Sequence, residues 1–202
     1  MARHVLFLGC QIPLRIPSIE IATRKVLEKL GLEVVDPLGY TCCPEPVISR
    51  LLDETTSLAI SARNLAIAEE LGSHLVTLCN GCHETLVEAN MRLKQDPEKL
   101  KEVSDILRNQ GKNYRGTVSV RHVVEVLQED VGIEKIERKV VKPQKLRVGL
   151  HYGCHLHRET EEGDIMRKPN MMKELTQITG VEVVNYGLEK LCCGYPSMQA
   201  DE

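Results

Sequence analysis

Short apolar runs and longer helix-spaced stretches take turns along this chain. Arg3 to Leu8 reads as a buried strand ending at a Gly9-Cys10 step. Helical spacing then runs to Leu30, with Ser18 as the expected N-cap, Glu20 and Lys25 on the polar side and Gly31 as the stop. Leu32 to Val35 predicts a second strand. A Pro- and Gly-bearing loop follows and carries Tyr40-Thr41-Cys42-Cys43-Pro44-Glu45-Pro46. Thr56 to Leu71 predicts a helix closed by Gly72, and His74 to Leu78 a third strand that delivers Cys79. Cys82 opens a helix running to about Lys94. Asp96 to Gln110 and Val120 to Val131 predict two more helices, and the basic, Pro-containing stretch Lys135 to Lys145 reads as a linker.

This alternation predicts an α/β chain with mainly parallel sheets flanked by helices. After the linker the order starts again. Gly149-Leu150-His151-Tyr152-Gly153-Cys154 answers to Val5-Leu6-Phe7-Leu8-Gly9-Cys10, and Lys190-Leu191-Cys192-Cys193-Gly194-Tyr195-Pro196 answers to Tyr40 through Pro46. Between them, Asp164 to Thr179 reads as a helix ended by Gly180, and Val181 to Val184 as a strand. The expected organisation is two similar repeated domains, 1–143 with a complete cysteine motif and 144–202 with a partial one. The spacing from Cys43 to Cys79 would put a second C-x-x-C beyond Glu202. The second domain is therefore expected to be incomplete, finished by the rest of a cut chain or by another polypeptide.

Composition narrows the function classes. Of the 202 residues, 42% are hydrophobic and 27% charged, as in an ordinary globular protein. A net charge of -3 with 3% aromatic residues gives no electrostatic footprint for nucleic acid. No apolar run suits a membrane span, and the one before Cys10 is too short for a secretory h-region. The expected location is the cytoplasm, where thiols stay reduced.

That expectation changes the meaning of the 8 cysteines. Cys10, Cys42, Cys43, Cys79 and Cys82 form one set, and Cys154, Cys192 and Cys193 begin a second in the same order. Iron–sulfur clusters are usually held by four thiolates, and the first set offers five. Structural zinc favours paired C-x-x-C or C-x-x-C with H-x-x-x-H spacing, which one C-x-x-C, an adjacent pair and a distant single cysteine match poorly. Two neighbouring residues reach two metals of a multinuclear group more easily than one tetrahedral ion. Zinc and a thioredoxin-like use of Cys79-Asn80-Gly81-Cys82 stay open as alternatives, because a helix N-terminus favours thiolate for metal ligation and redox exchange alike, whereas buried reduced thiols suit a single cysteine but poorly suit seven or eight in a repeated order.

The repeated order, with Phe7-Leu8-Gly9-Cys10, Thr41-Cys42-Cys43, Cys79-Asn80-Gly81-Cys82, His151-Tyr152-Gly153-Cys154-His155 and Leu191-Cys192-Cys193-Gly194, resembles the cysteine-rich CCG-domain family, and within it the B subunits of heterodisulfide reductases. The likeness spans essentially the whole chain. Pro44 stands where the family name would have Gly. The resemblance implies that Cys10, Cys42, Cys43, Cys79 and Cys82 hold a non-cubane [4Fe-4S] cluster, and that Cys154, Cys192 and Cys193 supply three of five ligands for a second. It implies an oxidoreductase that cleaves the coenzyme M–coenzyme B disulfide, or a related one, to two thiols. Electrons would come from Fe–S and flavin-containing partner subunits, since this chain has no G-x-G-x-x-G fingerprint. The alternative within the family is an electron-transfer module of a lactate, glycolate, fumarate or quinone oxidoreductase. His155, beside Cys154, is the candidate proton donor. His83 and His157 read as polar loop residues bonded to backbone.

Overall fold

The computed structural model describes residues 3–45, 48–156 and 164–194. Tyr195, Pro196, Pro46 and His157 lie outside the described residues. The chain divides into two units, 1–122 and 123–202.

Unit 1 is built on a sheet of four parallel strands in the order β2-β1-β3-β4, with β1 at Arg3–Phe7, β2 at Glu33–Val35, β3 at His74–Thr77 and β4 at Val120–His122. The registers are parallel throughout: Val5 pairs with Val35 on one side and Leu75 on the other, and Thr77 pairs with His122. Val5, Leu6 and Phe7 are all buried, as a strand covered on both faces requires. Connections run through α1 (Gln11–Arg15), α2 (Pro17–Leu30), α3 (Ile48–Leu52), α4 (Glu54–Glu70), α5 (Asn80–Gln95) and α6 (Pro97–Arg108).

The helix α4 is the spine of the core. Its buried positions, among them Ala59, Ala62, Leu65, Ala66, Ile67 and Ala68, lie all around it, the mark of a helix packed on every side. It packs against α5 and α6. Asp53 caps it by accepting from the Thr56 N–H at 3.0 Å. At the other end Glu69, 4% exposed, accepts from the backbone N–H groups of Arg115, Thr117 and Val118, which fixes the chain just before β4.

Three sequence expectations need correction here. The helix α2 starts at Pro17 with Ile16 as N-cap, so Ser18 lies inside it; proline's fixed φ suits the first helical position and sets the start. Val120–His122 is not helical: it pairs with the open side of β3 as an edge strand, and helix begins only at Val123. The expected linker from Lys135 overlaps a short helix, Ile133–Glu137. The short helices α1 and α3 carry no periodicity that signals them.

Unit 2 contains α7 (Val123–Glu125), a π-helical turn (Val126–Val131), α8 (Ile133–Glu137), β5 (Arg147–Gly149), α9 (Arg167–Gln177) and β6 (Glu182–Val184). The strands β5 and β6 form a parallel pair. Arg167 bridges buried Glu125 at 2.9 Å, joining α9 to α7. Among the described residues no helix is long and apolar enough to cross a membrane.

Candidate metal centre

In an open parallel sheet, ligands bind beyond the carboxyl ends of the strands, beside the point where strand order reverses. In unit 1 that point lies between β1 and β3, because β1 connects to β2 on one side and the chain then returns to β3 on the other. The sequence places a cysteine group after each of these three strands.

Cys10 follows β1 through Gly9, whose φ is +66°. A Cβ at Gly9 would lie 2.7 Å from the Cys82 sulfur. Glycine is needed there twice, for its backbone conformation and for the space the sulfur occupies. Cys79 is the N-cap of α5 and Cys82 lies in its first turn. Cys42 and Cys43 sit on the loop after β2, and that loop is tied to two helices. The Arg63 guanidinium donates to the Gly39 carbonyl at 2.7 Å, Asn64 bonds the backbone of Thr41 and Cys42, and the Thr85 hydroxyl donates to the Pro44 carbonyl at 3.4 Å.

The five sulfurs divide into an open and a closed side. Cys42 is exposed, and its Sγ lies 3.7 Å from that of half-buried Cys10. Cys43 and Cys82 are 5% and 4% exposed, and their sulfurs lie 3.0 Å apart. Contact with Cys43 and Cys79, reinforced by burial, pushes the Cys82 thiol far above its ordinary range. Contact with Cys43 and burial do the same to Cys42. The Cys79 thiol is lowered to about 6, because the Cys82 thiol and the backbone N–H groups of Cys82 and Gly81 hydrogen-bond its sulfur. None of the eight cysteines is in a disulfide.

This donor set suits a thiophilic, multinuclear group. Every donor is sulfur, the donors come from three loops, and Gly9 leaves room for the Cys82 sulfur itself. Among the described residues, no three His, Cys, Asp or Glu side chains are gathered as a ready-made metal site; the sulfurs meet in pairs, Cys42 with Cys10 and Cys43 with Cys82. Crowded sulfurs that hold their protons when alone release them to a cation, which couples metal binding to proton loss.

His83 is not a loop residue. It lies in α5, 2% exposed, with Nδ1 3.3 Å from the Thr77 hydroxyl, and its ring meets that of buried His122 edge-on at 5.5 Å. The spacing next to Cys82 conceals this core position.

In unit 2, Gly153 repeats the conformation of Gly9 with φ +69°, and half-buried Cys154 follows it. The loops after β5 and β6 are joined by the Tyr152 N–H bonding the Glu189 carbonyl at 2.8 Å. Cys192 and Cys193 are exposed, and the Gly194 N–H points to the Cys192 sulfur at 3.4 Å. His155 is half-buried in the turn after Cys154.

The family model for the cysteine-rich CCG domain matches residues 4–87 and 148–202, the two stretches that carry these loops. The chain belongs to the CCG-domain family. The B subunit of the ferredoxin/F(420)H(2)-dependent CoB-CoM heterodisulfide reductase from Methanosarcina acetivorans is 40% identical over 196 residues, covering 96% of this chain and 65% of the relative. The chain thus spans just under two thirds of that protein's length. The 8-methylmenaquinol:fumarate reductase membrane anchor subunit of Wolinella succinogenes is 27% identical, covering 97% of this chain and 68% of the relative. A crystal structure of a hypothetical protein from Helicobacter pylori matches 93% of this chain and 33% of its own with a TM-score of 0.64 at 14% identity, a likeness of fold. Membership in the CCG-domain family supports an iron–sulfur module, matching the all-sulfur donor set.

Proposed function

We propose that this chain is the catalytic part of a heterodisulfide reductase-type complex, cleaving the coenzyme M–coenzyme B disulfide or a related disulfide to two thiols at non-cubane [4Fe-4S] clusters. The observation that carries this reading is the convergence of Cys10, Cys42, Cys43, Cys79 and Cys82 from three strand-following loops at one end of the unit 1 sheet. In it, the sequence repeats 1–143 and 144–202 each bring one cysteine motif, and Cys154, Cys192 and Cys193 contribute three ligands to a second cluster. Similarity to the B subunit of a heterodisulfide reductase supports the substrate class.

Cleaving a disulfide takes two electrons and two protons, with the sulfur–sulfur bond breaking and two S–H bonds forming. When bound, a cluster of this kind supplies electrons one at a time at thiolate-ligated iron. The protein's residues do the rest. Cys43 and Cys82 anchor the closed side away from water, while exposed Cys42 and half-buried Cys10 border the side a substrate can approach. His155 is assigned the delivery of a proton from its imidazole to a departing thiolate. Electrons arrive from partner subunits carrying Fe–S centres and flavin, and the complex works in the cytoplasm.

A second reading is an electron-transfer module of another CCG-domain complex without disulfide chemistry. The exposure of Cys192 and Cys193 favours it, as does similarity to the fumarate reductase anchor protein. Anaerobic purification with iron and sulfide analysis, followed by EPR after addition of the two thiols, tests both. The disulfide-reductase reading expects a brown protein whose EPR changes with thiol. About eight irons per complete pair of motifs supports two clusters, and about four supports one. A colourless, zinc-containing protein would overturn both readings.

A further inference from the structure

Asn64 lies in the middle of α4, fully buried, far in sequence from any cysteine. An amide buried this deeply is tolerated only when it is hydrogen-bonded. Its partners are in one place. Oδ1 accepts from the Thr41 N–H at 3.1 Å and from the Thr41 hydroxyl at 3.3 Å, and Nδ2 donates to the Cys42 carbonyl at 3.1 Å. That carbonyl belongs to the peptide group joining Cys42 to Cys43. Holding its plane fixes the directions in which the two successive side chains leave the backbone. One sulfur then faces Cys10 on the open side and the other Cys82 on the closed side. Arg63 and Thr85 hold the same loop, but at Gly39 and Pro44, outside that peptide.

We propose that Asn64 is a positioning residue of the metal centre, which orients the peptide between the adjacent cysteines so that one sulfur lies by Cys10 and the other by Cys82. This rests on the iron–sulfur reading above and extends it to a side chain outside the cysteine motif. Asn64 touches no ligand atom; it acts through the backbone of Thr41 and Cys42. Groups that orient ligands in this way affect metal retention and electronic properties even when the ligands themselves are intact.

Three variants test it beside the wild type, all purified anaerobically. Asn64→Leu keeps the volume and removes both sets of bonds. Asn64→Asp keeps the acceptor for Thr41 and removes the donor to Cys42. Leu65→Ala opens a cavity one residue along the same helix and leaves the loop contacts in place. Iron and sulfide content, EPR and Mössbauer spectra, midpoint potential and Tm are read for each. The expected result is a wild-type spectrum and potential in Leu65→Ala despite a lowered Tm. Both Asn64 variants change spectrum and potential, and Asn64→Leu loses iron to a chelator about 10-fold faster or more. If Asn64→Leu fails to fold, the same comparison is read on Asn64→Asp. A wild-type spectrum and potential in the Asn64 variants overturns the proposal and leaves the cluster reading standing, as does a Leu65→Ala spectrum altered as much as theirs. A wild-type protein without iron and sulfide overturns the cluster reading and the proposal with it.

Discussion

The loops at Cys42-Cys43 and at Cys192-Cys193 begin from the same sequence pattern and end in different surroundings. The first is held from outside, by Arg63 and Asn64 of α4 and Thr85 of α5, and one of its sulfurs is buried against Cys82. Among the described residues, the second is held through Glu189 by its own strand-following loops. The Glu189 carboxylate accepts from the N–H groups of Tyr186 and Gly187, and the Glu189 carbonyl accepts from Tyr152. Both its cysteines face solvent. Among the described residues, the same two-residue motif meets other cysteine sulfurs where neighbouring helices hold its backbone, and faces solvent where no such helix bond is seen.

The largest expected effect separates the two loops chemically. Cys82→Ser or Cys43→Ser removes a sulfur from the closed side, and bound iron should fall from about four atoms for the unit 1 cluster to near zero. Cys193→Ser should leave that cluster's visible spectrum in place. Equal losses from Cys43→Ser and Cys193→Ser would erase the distinction.

Stability should differ in the same sense. Leu86→Ala, at a fully buried site in the core cluster that includes Cys43 and Cys82, should cost about 2–5 kcal/mol in denaturant titration. Leu188→Ala, at a residue 55% exposed beside the second loop, should stay within about 0.5 kcal/mol. A comparable cost at Leu188 would show that unit 2 buries this residue in solution.

The two Gly-Cys steps sharpen the contrast further. Both glycines have positive φ, so alanine strains either backbone by roughly 1–2 kcal/mol. At Gly9 the new Cβ also meets the Cys82 sulfur, whereas at Gly153 it meets nothing within 4 Å. Gly9→Ala should lower both Tm and iron retention, and Gly153→Ala should lower only Tm, by less. Matching iron losses would remove the role given to the space beside Cys82.

The smallest effect concerns how the supporting helix begins. Asp53 caps α4, and hydrogen bonds from the Thr56 N–H and hydroxyl hold its carboxyl below the usual carboxylate range. A lowered folded-state value means that the cap stabilises above the unfolded value and loses its effect as pH falls through the folded one. The Tm gap between wild type and Asp53→Ala should be full at neutral pH and close in acid. The helix α9 of unit 2 has Met166 as its N-cap with no side-chain cap bond, so substitution of Met166 should show no such pH dependence.

Much of this is legible in the chain because the signals are local. Gly9, Gly31 and Gly72 end elements where expected, and Cys79 stands between a buried strand and a helix. The edge strand Val120–His122 is hidden because its apolar spacing runs on into Val123 and Val124, and only the open side of β3 makes it a strand. Asn64 is hidden for a related reason. A lone Asn in an Ala-rich helix carries no periodicity, and its partners lie 22 and 23 residues away. His83 looks like a loop neighbour of Cys82 because sequence adjacency says nothing of which side of α5 a residue occupies.

The parallel sheet also determines which changes the site can absorb. The strands β2, β1 and β3 lie side by side at roughly 4.8 Å spacing, so three cysteine-bearing loops leave the sheet within about 10 Å of one another. The mostly exposed helix α2, between β1 and β2, can lengthen or shorten by whole turns without moving those exits. A single residue added inside β1 would instead move Phe7 to the opposite face of the sheet and carry Gly9 off its seat beside Cys82, since strand side chains alternate. Across α2, distance along the chain is free to drift, and odd or even position within a strand is not.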